Sequence, residues 1–225
     1  SKTMKLIWQN GFIYQSHFDD MELGDILSQD SRWQSIYGRG AETEQYNIVE
    51  GGAGENQKCL KIDQSGDYGG THTTFDFTAG LGARYNLKIS YDIKNDSSYS
   101  TSYTGSNDGA GGEFTFTDRD GAMHFHSNGA NFDFPVDFPD YEGKWVHVSY
   151  TMNTLANNYQ LLEMQLGDEV VVTNLAVPSR EDGTYPRLRL FCWGGQSMYV
   201  DNVSCEAVPR EIGGPELEVT GGGVV

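Results

Sequence analysis

The sequence predicts an all-β domain, a sandwich or a barrel, and three observations carry that expectation. Helical periodicity is almost absent. Short stretches of alternating apolar and polar residues recur along the chain, separated by Gly, Asn and Asp, which is how half-buried strands joined by turns read in a sequence. The chain has 225 residues, 12% of them aromatic, with 28 glycines. That is enough material for one large β core, since sandwiches and barrels often exceed 200 residues as a single unit.

Taken in order, strands are expected near 5–8, 12–18, 58–63, 71–77, 86–94, 113–117, 122–127, 145–152, 160–166, 169–174, 187–193 and 198–206. The clearest hairpin is "EFTFTDRDGAMHFHSNG", turning at Asp118-Arg119-Asp120-Gly121. Phe114, Phe116, Met123 and Phe125 share one face there, and Glu113, Thr115, His124 and His126 share the other. In "KWVHVSYTM" Val146, Val148, Tyr150 and Met152 alternate with Trp145, His147, Ser149 and Thr151. "QLLEMQLGDEVVVTN" reads as a second hairpin, turning at Gly167-Asp168. In "PRLRLFCW" Leu188, Leu190 and Cys192 alternate with Arg187, Arg189, Phe191 and Trp193. The last strand, "YVDNVSCEAVP", carries Asp201 and Asn202 in its middle, and a carboxylate there needs an exposed edge or a partner, because an isolated buried charge is costly.

Beyond Pro209 a Gly-Gly-Pro break opens a fresh alternating run. The expected division is a domain over 1–209 and a linker over 210–225. That tail resembles the opening of the Ig-like repeats of secreted multimodular bacterial proteins, which implies that further domains are joined to this one.

The formal charge of −17 argues against nucleic acid as a partner, because binding to phosphate polymers is driven by Lys and Arg. No apolar run is long enough to span a bilayer, so no membrane insertion is expected, and the first twenty residues lack the order of a signal peptide. Either a signal has been removed or the chain is cytoplasmic. The three cysteines, Cys59, Cys192 and Cys205, fit no zinc spacing. Buried free thiols are the expectation, with one bridge, Cys59 to Cys205, as the alternative.

Three segments, "HFDDMELGD" followed by Trp33, "GKWVHVSYTMN" and "MYVDNVSCEAVP", together resemble the jelly-roll carbohydrate-binding modules and the related concanavalin-like, laminin-G-like sandwiches of secreted bacterial proteins. The resemblance covers about residues 15 to 208. It implies a two-sheet antiparallel β-sandwich with neighbouring first and last strands, a secreted or cell-surface location and a polysaccharide or oligosaccharide partner. It also implies a structural calcium held by Asp19 or Asp20 together with Asp201, and the segment "KIDQSGD", with Asp63 and Asp67, offers further ligands. Calcium takes six to eight oxygens, so two or three carboxylates suffice if loops supply the rest.

Catalytic patterns are weak. The Glu-x-Asp-x-x-Glu run of endoglucanase-like sandwiches, which puts three carboxylates on one face of a strand, is absent from the sequence. A lyase needs a His or Tyr base and a cation facing the uronate, which His124, His126, His147, Arg187 and Arg189 could supply, but the Arg-x-Glu-x-Arg strand pattern of alginate-lyase-like families is missing. No catalytic residue is assigned. The favoured reading is a non-catalytic glycan-binding module that targets an attached enzyme or a cell surface. A lyase using the same face and a structural or adhesive domain are the alternatives. The binding residues are expected to be Trp145, His147, His124, His126, Glu113, Arg187, Arg189 and Trp193, provided that their strands share one sheet: aromatic rings for the apolar face of a sugar, polar groups for its hydroxyls.

Overall fold

A computed structural model describes residues 12–35, 44–64, 68–73, 85–95, 104–107, 112–115, 122–127, 130–137, 143–153, 160–176, 189–193 and 197–209. The expected strand at 5–8, the tail 210–225, Asp67 and Arg187 lie outside these residues. Strands β1 (Phe12–Ser16), β2 (Gly24–Asp25), β4 (Glu44–Glu50), β5 (Lys58–Gln64), β7 (Tyr85–Asn95), β12 (Val146–Asn153), β13 (Gln160–Leu166), β14 (Glu169–Ala176) and β16 (Ser197–Pro209) form one sheet. Its order is β14-β13-β12-β7-β16-β5-β4-β2, with β1 also against β16. A seven-stranded sheet has the order β11-β10-β9-β8-β15-β6-β3, made of β3 (Trp33–Ser35), β6 (Tyr68–Thr73), β8 (Thr104–Asn107), β9 (Gly112–Thr115), β10 (Ala122–Ser127), β11 (Ala130–Asp137) and β15 (Arg189–Trp193). Among the described residues every strand pair is antiparallel. The protein is an all-β sandwich.

The core comes from the alternation seen in the sequence. Ile89, Tyr91 and Ile93 of β7, Val146, Val148 and Tyr150 of β12, Leu60 and Ile62 of β5, and Met198, Val200, Val203 and Cys205 of β16 are all buried. Leu190 of β15 and Trp33 of β3 are buried from the seven-stranded sheet. Each such aliphatic side chain contributes roughly 1.5–3 kcal/mol through burial. Trp33 is fixed further by its indole N–H, which donates to Tyr14 Oη at 2.9 Å, and by Phe18 and Tyr14 rings at 6.1 and 6.3 Å. The hairpin β13–β14 turns at Gly167-Asp168, as the sequence predicts, with Gly167 at φ 60°.

Strand β16 explains the polar pair in its middle. Along one side it pairs with β7 both before and after residues 202–203, but on the other it meets β5 at residues 197–200 and β1 at residues 203–206. The register shifts between Asp201 and Ser204, and Asn202 stands at φ 50°. This is a β-bulge at the point where one neighbour hands over to the next, and Asn tolerates the left-handed backbone that a bulge requires. The bulge also switches parity: Met198 and Val200 point into the core before it, Val203 and Cys205 after it.

Candidate functional site

The outer face of the nine-stranded sheet carries cross-strand rows of side chains whose neighbours along each strand point into the core. One row runs across β12, β7, β16 and β5. Trp145 immediately precedes β12, whose Val146 pairs with Ile93, and Tyr199 pairs with both Lys94 and Lys61. The Lys94 ammonium stands 4.5 Å from the Tyr199 ring centroid and 5.1 Å from that of Trp145, and the Lys61 ammonium 5.7 Å from Tyr199. Cation–π contacts hold ammonium groups at such distances. Lys61 also pairs with Asp63 at 2.8 Å, and Ser197 donates to the other oxygen of Asp63. Trp145, Tyr199 and Lys94 are all partly exposed.

The next row holds His147, Asp92 and Asp201, aligned by register. Two carboxylates directly opposite each other repel, and the sequence separates them with donors. His147 Nδ1 lies 2.7 Å from Asp92 Oδ1, and Asn202 Nδ2 donates to Asp92 Oδ2 at 2.6 Å. A carboxylate only accepts, so Nδ1 of the half-exposed imidazole carries a proton.

Asp201 itself is fully buried beneath the loop Gly51–Gln57. Its Oδ2 accepts from Ala53 N–H at 2.8 Å and Asn56 Nδ2 at 3.1 Å, and its Oδ1 from Asn202 N–H at 2.7 Å. Burial raises its pKa, the three hydrogen bonds oppose that, and Asp92 adds to the rise. Under the same loop Cys59 is pushed up to about 11, first by burial and then by Asp201. Cys59 and Cys205 are both free and buried, so the alternative bridge is absent.

Asp19 holds the loop from its far end, its Oδ1 accepting from Gln57 N–H and Lys58 N–H at 3.0 Å each. It follows Phe18, a buried residue at φ 58°. Strands β1 and β16 are indeed neighbours, and the two acidic segments do meet on one loop, but what they meet there is N–H donors. Both oxygens of Asp201 and one of Asp19 are engaged by N–H groups where calcium would require their lone pairs. Asp20 is exposed, and Asp63 sits in the lysine–tyrosine row. Among the described residues no group of three or more His, Cys, Asp or Glu side chains is placed to hold a metal. The described donors therefore do not fit calcium at this position.

Of the eight expected binding residues, the seven that are described do not share a sheet. Trp145 and His147 stand on the nine-stranded sheet, while His124, His126, Glu113, Arg189 and Trp193 belong to β10, β9 and β15 of the seven-stranded one. The hairpin register itself is as expected, with His126 opposite Glu113 and His124 opposite Thr115. Alternation assigns residues to faces within a strand. It does not say which sheet a strand joins, because that is decided by pairing across long separations. Lys94, Tyr199 and Asp92 were missed; the signal available was that each alternates with buried apolar neighbours.

No family model matches the sequence, and no curated protein matches it. Solved structures do match. A conserved carbohydrate esterase of the Shiga toxin-encoding bacteriophage phi24B superposes with a TM-score of 0.62 at 11% identity, covering 88% of this chain and 98% of that one. The alginate lyase Aly36B gives 0.51 at 12% identity, covering 88% and 97%. Cellulose induced protein Cip1 gives 0.50 at 8%, covering 82% and 96%. What is shared is the β-rich fold.

Proposed function

We propose that this chain is a jelly-roll glycan-binding module of a secreted or cell-surface protein, joined to further domains, that holds a polysaccharide without cutting it. The observation that carries this reading is the row Trp145–Lys94–Tyr199 on the outer face of the nine-stranded sheet. Partly exposed rings beside hydrogen-bonding side chains are what a sugar needs, with one apolar face to stack and hydroxyls to pair. The next row adds His147 and, at its inner end, Asn202. The fold is shared with proteins named as a carbohydrate esterase and an alginate lyase, which supports a carbohydrate ligand.

One observation favours a second reading. Asp92 engages Nδ1 of the half-exposed His147, and a lyase would use Nε2 of its neutral form to take the proton beside a uronate carboxylate. A glycan array followed by titration of the bound polymer separates the readings. The expected result is binding with no release of unsaturated products, and Trp145→Ala weakening it about tenfold, as loss of one aromatic contact of about 1–1.5 kcal/mol requires. An absorbance rise from unsaturated uronates that vanishes in His147→Ala would establish the lyase. No affinity for any glycan on the array would leave a structural or adhesive role.

A further inference from the structure

We propose that the row Trp145–Lys94–Tyr199–Lys61 takes a carboxylate-bearing glycan, with the Lys94 ammonium meeting the carboxylate. This rests on the glycan-binding reading and names the ligand class of the same site.

The position of Lys94 decides between neutral and acidic sugars. Its ammonium stands over both the Tyr199 and Trp145 rings, at 4.5 and 5.1 Å from their centroids. The quadrupole of each ring holds it there, so a sugar that stacks on the face it occupies meets the ammonium. A neutral sugar must displace the ammonium from two rings. A carboxylate needs no displacement, because an ammonium has three N–H donors and can keep its rings while adding a charge-assisted hydrogen bond.

Charge in the surroundings points the same way. The chain carries 32 Asp and Glu against 15 Lys and Arg, yet among the described residues Lys94 forms no ion pair, whereas Lys61 is paired with Asp63. The acidic groups nearby are held by donors of their own: Asp63 by Lys61 and Ser197, Asp92 by His147 and Asn202, and Asp201 by the loop above it. Lys94 is left as a partly exposed cation held against two aromatic rings, with no carboxylate of the described residues paired to it.

The test uses oligosaccharides of polygalacturonate, alginate and hyaluronan, each beside its counterpart with carboxyls reduced to primary alcohols. Binding is read by calorimetry and by tryptophan fluorescence. At least one acidic oligosaccharide should bind about tenfold tighter than its reduced form, the gain expected of a charge-assisted pair, and salt should weaken only the acidic one. Lys94→Met should bring the acidic ligand down to the level of the reduced one, and Lys94→Arg should keep affinity within about threefold, since Arg also stacks and stays charged. Equal binding of acidic and reduced forms overturns the carboxylate assignment and leaves the glycan reading standing. Absence of binding to both forms of all three overturns the carboxylate assignment, and the glycan reading then stands or falls with the array. Undiminished affinity in a folded Lys94→Met variant also overturns the assignment. If that variant melts early, the parent's preference for the acidic form and its retention in Lys94→Arg decide.

Discussion

Asp201 shows how one residue can look like a metal ligand in a sequence and act as a hydrogen-bond acceptor in the fold. Its position in the middle of an apolar strand demanded a partner, and that much was legible. The partner was not, because it is the backbone of a loop about 150 residues earlier. Replacing it tests the assignment. In Asp201→Asn one oxygen becomes an amide N–H₂ facing N–H donors from Asn202 or from Ala53 and Asn56. Stability should fall by about 1–3 kcal/mol, the cost of leaving buried donors unpaired. Chelator should change the melting temperature of neither parent nor variant. A drop with chelator in the parent that is missing in Asp201→Asn would restore a calcium role for this carboxylate.

At the scale of elements, the Gly51–Gln57 loop acts as a clasp over the bulge of β16, fastened by Asp201 on one side and by Asp19 on the other. Its own bonds, Gly51 N–H to Gln57 C=O at 2.7 Å and Asn56 N–H to Ala53 C=O at 3.1 Å, close it into a compact turn. A side chain at Gly52 has no room, since a Cβ there would come within 2.6 Å of the Lys58 carbonyl oxygen and 2.8 Å of that of Asn56. Gly52→Ala should therefore cost about 1–3 kcal/mol through forced backbone shifts, read as an earlier urea midpoint. Glu55→Ala, at an exposed position of the same loop, should stay within about 0.5 kcal/mol. Equal effects of the two would show that the clasp is not rigidly packed. Nothing about this element was visible beforehand beyond its glycines. Strand β4 was missed although Tyr46 and Ile48, both buried, show the two-residue spacing, while β2 and β3 are too short to show any period.

For the whole molecule, faces within strands were readable and the order of strands was not. Apart from Ser149 and Asp201, the buried sets of β5, β7, β12 and β16 are the apolar sets of the sequence, because burial of one face is a local property of the pleat. Sheet membership depends on pairing of distant segments, so the expected single binding face divides between two sheets. β16 is the piece that ties the nine-stranded sheet together, with β7 along one side and β5 and β1 along the other. Among the described residues its pairing with β7 runs as far as Pro209 opposite Tyr85, and proline has no N–H to donate to a ladder. A chain ending at Pro209 should consequently melt within about 2 °C of the 225-residue chain, a difference under about 1 kcal/mol for a domain of this size. A chain ending at Asn202 loses the buried Val203, Cys205 and Ala207 and the whole pairing with β1, and it should show no cooperative transition. If removing 210–225 lowers the melting temperature by more than a few degrees, the tail belongs to the sandwich and the boundary at Pro209 is wrong.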